Sequence, residues 1–115
     1  MQSKFRLTRS EDFKRVRRTG KSYAHPLVVL VVQPNDLKLV RVGVTAGKTS
    51  GSAVHRNRAK RLLREAVRPL LPSLASSWDL ILIARPTLGS ASLADTHEAL
   101  TTLLQRAQLL SSHES

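Results

Sequence analysis

One short segment of the chain concentrates the residues whose chemistry is easiest to recognise. Residues 48–68 contain seven Lys and Arg residues, and Glu65 is the single acid among them. At about 100° per residue, the apolar residues of the segment fall on one side of a helix and most of the cations fall on the other. Guanidinium groups bind phosphate oxygens in bidentate fashion, and concentrated like charge needs an anion to offset it. The pattern therefore predicts a helix that binds nucleic acid through its cationic side.

The two sides of this predicted helix are cleanly separated. An ordinary solvated helix face is the alternative interpretation, but such a face usually mixes acids and bases at i,i+4 spacing. Arg58 lies further round the helix, and Arg56 lies at the border between the sides. The apolar side consists of Ala59, Leu62, Leu63, Ala66, Val67 and Leu70, and the cationic side of Asn57, Lys60, Arg61, Arg64 and Arg68.

Other side chains that could do chemistry are scattered. The chain has no cysteine, which excludes disulfides, thiolate metal sites and thiol catalysis. The eight acids form no cluster beyond Glu11-Asp12, so we predict no protein metal site. The candidate general bases at neutral pH are His25, His55, His97 and His113, which show no repeated spacing and no paired acid. His55 falls beside the apolar arc of the helix, where a packed histidine is expected. No catalytic residue is predicted on the chain.

Length and charge limit the remaining possibilities. The 115 residues suit one domain over 1–115, with flexible ends at 1–7 and 111–115. The net charge is +11, and residues 1–21 form a second basic segment with eight Lys and Arg residues against two acids. No secretory signal is visible, and the longest apolar run, residues 27–32, is far shorter than the roughly 20 residues that span a bilayer. We expect a cytoplasmic protein without membrane contact.

Six elements are predicted, in the order α-β-β-α-β-α. Thr8 to Glu11 matches a capping box, with Ser10 as an alternative N-cap, and Gly20 can close the first helix. Strands are predicted over 27–32, 39–45 and 78–84, and the other helices over about 53–70 and 93–110. The fold class is therefore α/β, an α+β two-layer sandwich with helices packed on a small sheet.

At this point the chain resembles the bacterial ribonuclease P protein family. The run Gly51-x-Ala53-Val54-x-Arg56-Asn57-Arg58-x-Lys60-Arg61-x-x-Arg64-Glu65 is similar to that family's signature. Weaker similarities stand in the right order around it, over about residues 6–110: Arg6-Leu7, Glu11-Asp12-Phe13 with Val16 and Gly20, Arg41-Val42-Gly43-Val44 with Lys48, and Trp78 to Arg85.

The resemblance implies a mixed sheet with a left-handed β-α-β crossover that contains the arginine-rich helix. It implies that this helix docks against the catalytic ribonuclease P RNA and that the protein assists removal of the 5′ leader from precursor tRNA. The RNA would carry the catalytic groups and hold Mg²⁺, with none bound by the protein alone, and no obligate protein partner is implied. The implied contacts with the catalytic RNA are Arg56, Asn57, Arg58, Lys60, Arg61, Arg64 and Arg68.

The resemblance also implies a cleft for the leader, between the first helix and the sheet. Phe13, Lys14, Arg15, Arg17 and Lys48 are the residues implied there, although Phe13 as a plain core residue is an equally good interpretation. Two departures stand out: Arg17 and Val31 occupy positions where relatives often have aromatic residues, and Tyr23 is a possible substitute. Without those platforms for stacking, leader binding should depend more on charge and be more sensitive to salt.

Three alternatives differ in class. A ribosomal or ribosome-assembly protein would share the charge pattern, but it has no reason to carry the run over residues 51–65. A protein-only ribonuclease would need its general base among the scattered histidines. A sequence-specific DNA-binding protein would need a second helix in a tight helix-turn-helix arrangement, which the predicted elements do not provide.

Overall fold

The computed structural model describes residues 6–110, and it confirms the predicted elements with one added strand. The additional strand is β1, a four-residue segment that the sequence did not reveal because it lacks an apolar run. In chain order the elements are α1 (Ser10–Thr19), β1 (Lys21–Ala24), β2 (Val28–Pro34), β3 (Val40–Ala46), α2 (Ala53–Val67), β4 (Trp78–Ala84) and α3 (Leu93–Arg106), with 3-10 turns at Lys48–Ser50, Arg68–Ser73 and Leu88–Ser90.

The four strands form one mixed sheet in the order β1-β2-β4-β3. β2 pairs antiparallel with both β1 and β4, whereas β3 pairs parallel with β4. A parallel pair needs a crossover connection, and α2 supplies it because it lies between β3 and β4 in the chain. The mixed sheet and the crossover helix are confirmed, and the left hand of the crossover stays a prediction.

The larger part of the core lies between one face of the sheet and the helices α2 and α3. Alternation along β2 points Val28, Leu30 and Val32 to this face, and Leu80 and Leu82 of β4 stand beside them. α2 contributes its apolar side, with Ala59, Leu63, Ala66 and Val67 buried, and α3 contributes buried residues such as Leu100, Leu103 and Leu104. The predicted apolar side of α2 is thus confirmed as the side that faces the core.

The opposite face of the sheet carries α1 and a smaller cluster. Val16 of α1 packs with Val31 and Ile81, and Leu7 completes the buried set. Leu7 donates its amide to the carbonyl of Val42 at 2.9 Å and is only 2% exposed. Residues 1–5 and 111–115 of the predicted flexible ends lie outside the described residues, but Arg6 and Leu7 are paired to β3.

The ends of the helices differ from the predictions in three places. The predicted capping box of α1 is wrong: Arg9 is the N-cap and makes no side-chain hydrogen bond there. α2 begins as expected after Ser52, whose hydroxyl accepts from the amide of His55, but it ends at Val67 because the segment Arg68–Ser73, with two prolines, turns into a 3-10 helix. α3 ends at Arg106, four residues before the predicted end.

A buried carboxylate joins α1 to the sheet. Asp79 of β4 is 0% exposed, and Arg41 of β3 binds it with both Nε and Nη2 at 2.9 Å. Arg15 of α1 reaches the same carboxylate at 2.6 Å, and Asn35 donates its amide to it at 2.9 Å. Asp12 bridges Arg15 and Arg41 at 3.3 and 3.5 Å. We call these five residues the Asp79 cluster.

The pKa of Asp79 reflects two opposed effects. Burial by itself raises the pKa, because it disfavours the charged form. Hydrogen bonds from Arg41, Arg15 and Asn35 favour the carboxylate, and together they hold the pKa below its ordinary value. The same bonds raise the pKa of both arginine side chains. Asp79 is therefore ionised at neutral pH and stabilises the fold only in that state.

We expect the Asp79→Asn variant to lose about 2–3 kcal/mol of unfolding free energy at pH 7. Removing one partner of a buried ion pair costs about 3–5 kcal/mol, and the loss here should be somewhat smaller because both guanidiniums are partly exposed to solvent. The folded-state pKa lies below the unfolded value of about 3.9. The contribution of Asp79 to the unfolding free energy is therefore complete above roughly pH 5 and is lost as pH falls through the folded-state pKa.

Urea unfolding of the wild type and of the variant between pH 3 and pH 7 measures this difference. The matched control is Asp36→Asn, which removes an exposed carboxylate in the turn between β2 and β3. A difference between wild type and Asp79→Asn that stays constant down to pH 3, or that the control reproduces, would contradict the assignment.

Candidate nucleic-acid interface

The cationic side of α2 faces away from the sheet. Arg58, Arg61 and Arg68 are exposed together with Asn57, and Arg56, Lys60 and Arg64 are half-buried. This placement follows from the burial of Ala59, Leu63, Ala66 and Val67 on the other side. The structure thus brings six of the seven predicted contact residues onto α2 and the seventh, Arg68, to its C-cap, and none of the seven is fully buried. Val54, also on this helix, is 80% exposed although it is apolar. The sequence prediction did not include it.

Contacts with the turn Leu88–Ser90 fix the N-terminal half of α2. Arg58 donates its Nε to the carbonyl of Gly89 at 2.7 Å, and the ring of His55 packs against Gly89. The ring nitrogen Nε2 of His55 also lies 3.4 Å from the carbonyl of Pro86. The expected packing role of His55 is confirmed, and Arg58 has a structural bond that helical periodicity did not indicate.

The cations of α2 have no acidic partners within residues 6–110. Every salt bridge in that part of the chain belongs to the Asp79 cluster and uses Asp12 or Asp79. The Nε of Arg56 is buried and has no hydrogen-bond partner among the described residues. A buried donor without an acceptor costs about 1–3 kcal/mol. The α2 surface is therefore positively charged and has unused hydrogen-bonding capacity.

A second surface lies on the opposite face of the sheet, beside α1. Val29, Ile83 and Thr45 stand side by side there by strand register, and all three are half-buried. Phe13 is half-buried over Gly43, whose added Cβ would collide with the Phe13 ring. We call Phe13, Val29, Thr45 and Ile83 the cleft strip. Only Phe13 was predicted, and alternation along the strands was the signal for the others.

The four cations that were predicted for the cleft differ in how accessible they are. Arg17 is exposed and lies one helical turn after Phe13, on the same side of α1. Lys14 is exposed on the outer side of α1, and Lys48 is exposed just after β3. Arg15 is separated from them, because its guanidinium belongs to the Asp79 cluster. Asp79 lies four residues, or roughly 13 Å, along β4 from Ile83 of the cleft strip. Arg15 therefore positions α1, while the other three cations stay accessible.

Tyr23, the possible substitute for the missing aromatic residues, does not offer an open aromatic surface in the cleft. Tyr23 pairs with Leu30 and packs against the α2–α3 side of the sheet, where Lys21 and Arg106 lie 5.4 and 5.9 Å from its ring. Val31 does lie on the α1 side, but it is only 3% exposed. Tyr23 thus does not replace the missing aromatic residues.

Two further features concern metals and membranes. Within residues 6–110, no three His, Asp or Glu side chains come together in a way that could hold a metal ion. In the same part of the chain, no helix combines the length and the apolar character needed to cross a bilayer.

The fold and these surfaces define a small basic α/β protein that binds RNA. Comparison with known proteins identifies the family: the ribonuclease P family model matches residues 1–108. The ribonuclease P protein component of Herpetosiphon aurantiacus is 42% identical over 109 residues, which cover 95% of this chain and 89% of that protein. That of Dehalococcoides mccartyi strain 195 is also 42% identical, over 92% of this chain and 87% of that protein.

A solved structure shows the same fold. The ribonuclease P protein of Staphylococcus aureus superposes with a TM-score of 0.83 at 27% identity, over 93% of this chain and 98% of that one. The chain belongs to the ribonuclease P protein family. It is thus a protein component of the ribonucleoprotein endonuclease that acts in tRNA processing, and the ribosomal alternative is not favoured.

The contact between Gly89 and His55 generates a stability prediction. In a Gly89→Ala variant the new methyl group collides with three atoms of the His55 ring, so we expect a loss of about 1–3 kcal/mol. In a His55→Ala background the ring is absent, and the same substitution should cost less than about 1 kcal/mol. Urea unfolding of the four chains measures the coupling between the two positions. An equal cost of Gly89→Ala in both backgrounds would show that the ring does not hold the turn.

Proposed function

We propose that the cationic side of α2 binds the catalytic RNA of ribonuclease P. The observation that carries this proposal is the absence of acidic partners for the α2 cations within residues 6–110, where Asp12 and Asp79 are paired with Arg15 and Arg41. Unpaired guanidiniums on one rigid helix suit a phosphate backbone, since each displaces condensed counterions when it binds. The proposed contacts are Arg56, Asn57, Arg58, Lys60, Arg61, Arg64 and Arg68.

The Nε atom of Arg56 supports this proposal. Its buried Nε lacks an acceptor within the described residues, and a phosphate oxygen of the RNA would supply one. Arg58 would contact RNA with its terminal nitrogens only, because its Nε is bonded to Gly89. The side-chain amide of Asn57 can both donate and accept, which suits a base edge or a ribose.

The cleft strip and its flanking cations are the proposed site for the 5′ leader of precursor tRNA. Phe13 offers one ring, Arg17 is exposed on the same side of α1, and Lys14 and Lys48 are exposed on the outer side of α1 and just after β3. Base stacking on an aromatic side chain contributes about 1–3 kcal/mol per base, and here one ring is available instead of several. Charge therefore supplies most of the leader affinity, and the affinity falls steeply as salt rises.

We place the chemistry of cleavage on the RNA. The scattered histidines and the lack of a carboxylate cluster within residues 6–110 support this assignment, as does the structural engagement of Asp12 and Asp79. Mg²⁺ would be held mainly by RNA phosphates, and it would supply polarisation of the scissile phosphodiester. The protein would contribute by holding RNA and substrate in a productive geometry.

Cleavage of precursor tRNA at low Mg²⁺ tests the proposal. The RNA of the source organism's ribonuclease P, mixed with the wild-type protein, should cleave much faster than the RNA alone, and the protein alone should be inactive. We expect Arg56→Ala and Arg61→Ala each to raise the Kd for the RNA about tenfold and to lower the salt slope by about one. The control is Lys38→Ala, an exposed cation in the β2–β3 turn. Equal effects of the control, or no stimulation by the wild type, would contradict the proposal.

The leader site has its own test. We expect Arg17→Ala and Lys48→Ala to weaken binding of leader-bearing precursor tRNA to the holoenzyme about threefold to tenfold, because each removes one phosphate contact. The affinity for mature tRNA should not change, since it has no leader. Fluorescence binding curves for both ligands at several salt concentrations give the comparison. A similar loss of affinity for mature tRNA would show that these cations do not act on the leader.

A further inference from the structure

A small cavity opens at the edge of β3, between the segment that precedes α1 and the C-terminal half of α2. Its volume is about 200 Å³, and Arg6, Thr8, Phe13, Gly43 and Arg64 are among the residues that line it. Pockets for drug-sized molecules measure roughly 300–1,000 Å³. This cavity is therefore sized for one small unit of a larger ligand.

The charges around the cavity favour an anion. Arg6 and Arg64 line it from two different segments of the chain, and no acidic side chain is among its lining residues. Neither arginine forms a salt bridge within residues 6–110, where Asp12 and Asp79 accept all the pairs. Two arginine side chains that line one small cavity bring like charge to the same place, and a bound phosphate would offset that charge.

The uncharged walls favour a nucleotide over a bare anion. The ring of Phe13 lines the cavity, and it can lie there because Gly43 has no side chain to hold it away from β3. An aromatic ring next to a phosphate site suits a base or a ribose. The hydroxyl of Thr8 both donates and accepts hydrogen bonds, which suits a 2′-hydroxyl. The apolar and polar walls together match the parts of one ribonucleotide.

We propose that this cavity is a binding subsite for a single ribonucleotide of an RNA strand. Arg6 and Arg64 would bind its phosphate, and Phe13 would contact its base or ribose. The cavity shares Arg64 with the α2 surface and Phe13 with the cleft strip, so it connects the two surfaces around the edge of β3. Whether the nucleotide belongs to the catalytic RNA or to the leader rests on the proposed function, whereas the subsite itself does not.

Titration of the isotope-labelled full chain with uridine 5′-monophosphate tests the subsite. We expect saturable amide shifts at Thr8, Val42, Gly43 and Arg64, and much weaker shifts with uridine, which has no phosphate. Arg6→Ala and Arg64→Ala should each weaken binding of the monophosphate about tenfold, since each removes a charged hydrogen bond. Lys38→Ala is the matched control and should bind as the wild type does.

Two results would overturn the subsite. One is a set of shifts spread over all the basic residues and reduced equally by Lys38→Ala, which would indicate general charge attraction. The other is saturable binding that Arg6→Ala and Arg64→Ala leave unchanged. Arg6→Lys and Arg64→Lys keep the charge but lose the guanidinium fork, and partial recovery of binding in them would support the geometry.

The effect of Arg6→Ala on RNA binding identifies the source of the nucleotide. A weaker affinity for the free ribonuclease P RNA assigns it to that RNA, and a loss confined to leader-bearing precursor tRNA assigns it to the leader. Either result supports the subsite, and no change in either affinity would overturn its place in the holoenzyme. Because the titration uses the protein alone, a failure of cleavage stimulation would count against the proposed function and not against the subsite.

Discussion

The carboxylate of Asp79 is the constraint on which the arrangement of this protein depends. It is fully buried on the α1 side of the sheet, and it stays charged because Arg41 and Arg15 bind it. These bonds join β4 to β3 and to α1, so they set where α1 lies on the sheet. They also divide the basic residues into two groups. Arg15 and Arg41 are neutralised inside the fold, and the cations on α2 stay without acidic partners in the described part of the chain.

The division explains how a chain of net charge +11 can be both folded and ready to bind RNA. The free cations lie mainly on α2, on one side of the sheet, and on the outer part of α1, on the other. α2 is held against the turn Leu88–Ser90 by Arg58 and His55, so its cations are presented on a rigid support. The proposed function requires contacts with two RNAs, the catalytic RNA and the precursor tRNA, and a sheet with a basic helix on each face offers a separate surface to each of them.

Much of this could be predicted from the sequence, because the strongest signals were periodic. The apolar side of α2 and the strand Trp78–Ala84 were correct, since burial on one side fixes the spacing of apolar residues. β1 was not predicted because it is four residues long and largely exposed. Arg15 was assigned to the leader because its charge was visible, whereas its partner Asp79 is 64 residues away in the chain. The cleft strip could have been found from strand alternation. The cavity at the edge of β3 could not, because it depends on tertiary contacts.

The absence of cysteine allows a direct test of the proposal that opposite faces of the sheet hold different RNAs. A photo-crosslinking group would be attached to Val54→Cys on α2 and, in a separate chain, to Lys14→Cys on α1. In holoenzyme bound to precursor tRNA, we predict that the probe at position 54 crosslinks to the catalytic RNA, with or without a leader on the substrate. The probe at position 14 should crosslink to the leader. Crosslinks from both positions to the same RNA, or the reverse assignment, would show that the two faces do not hold the RNAs in this way.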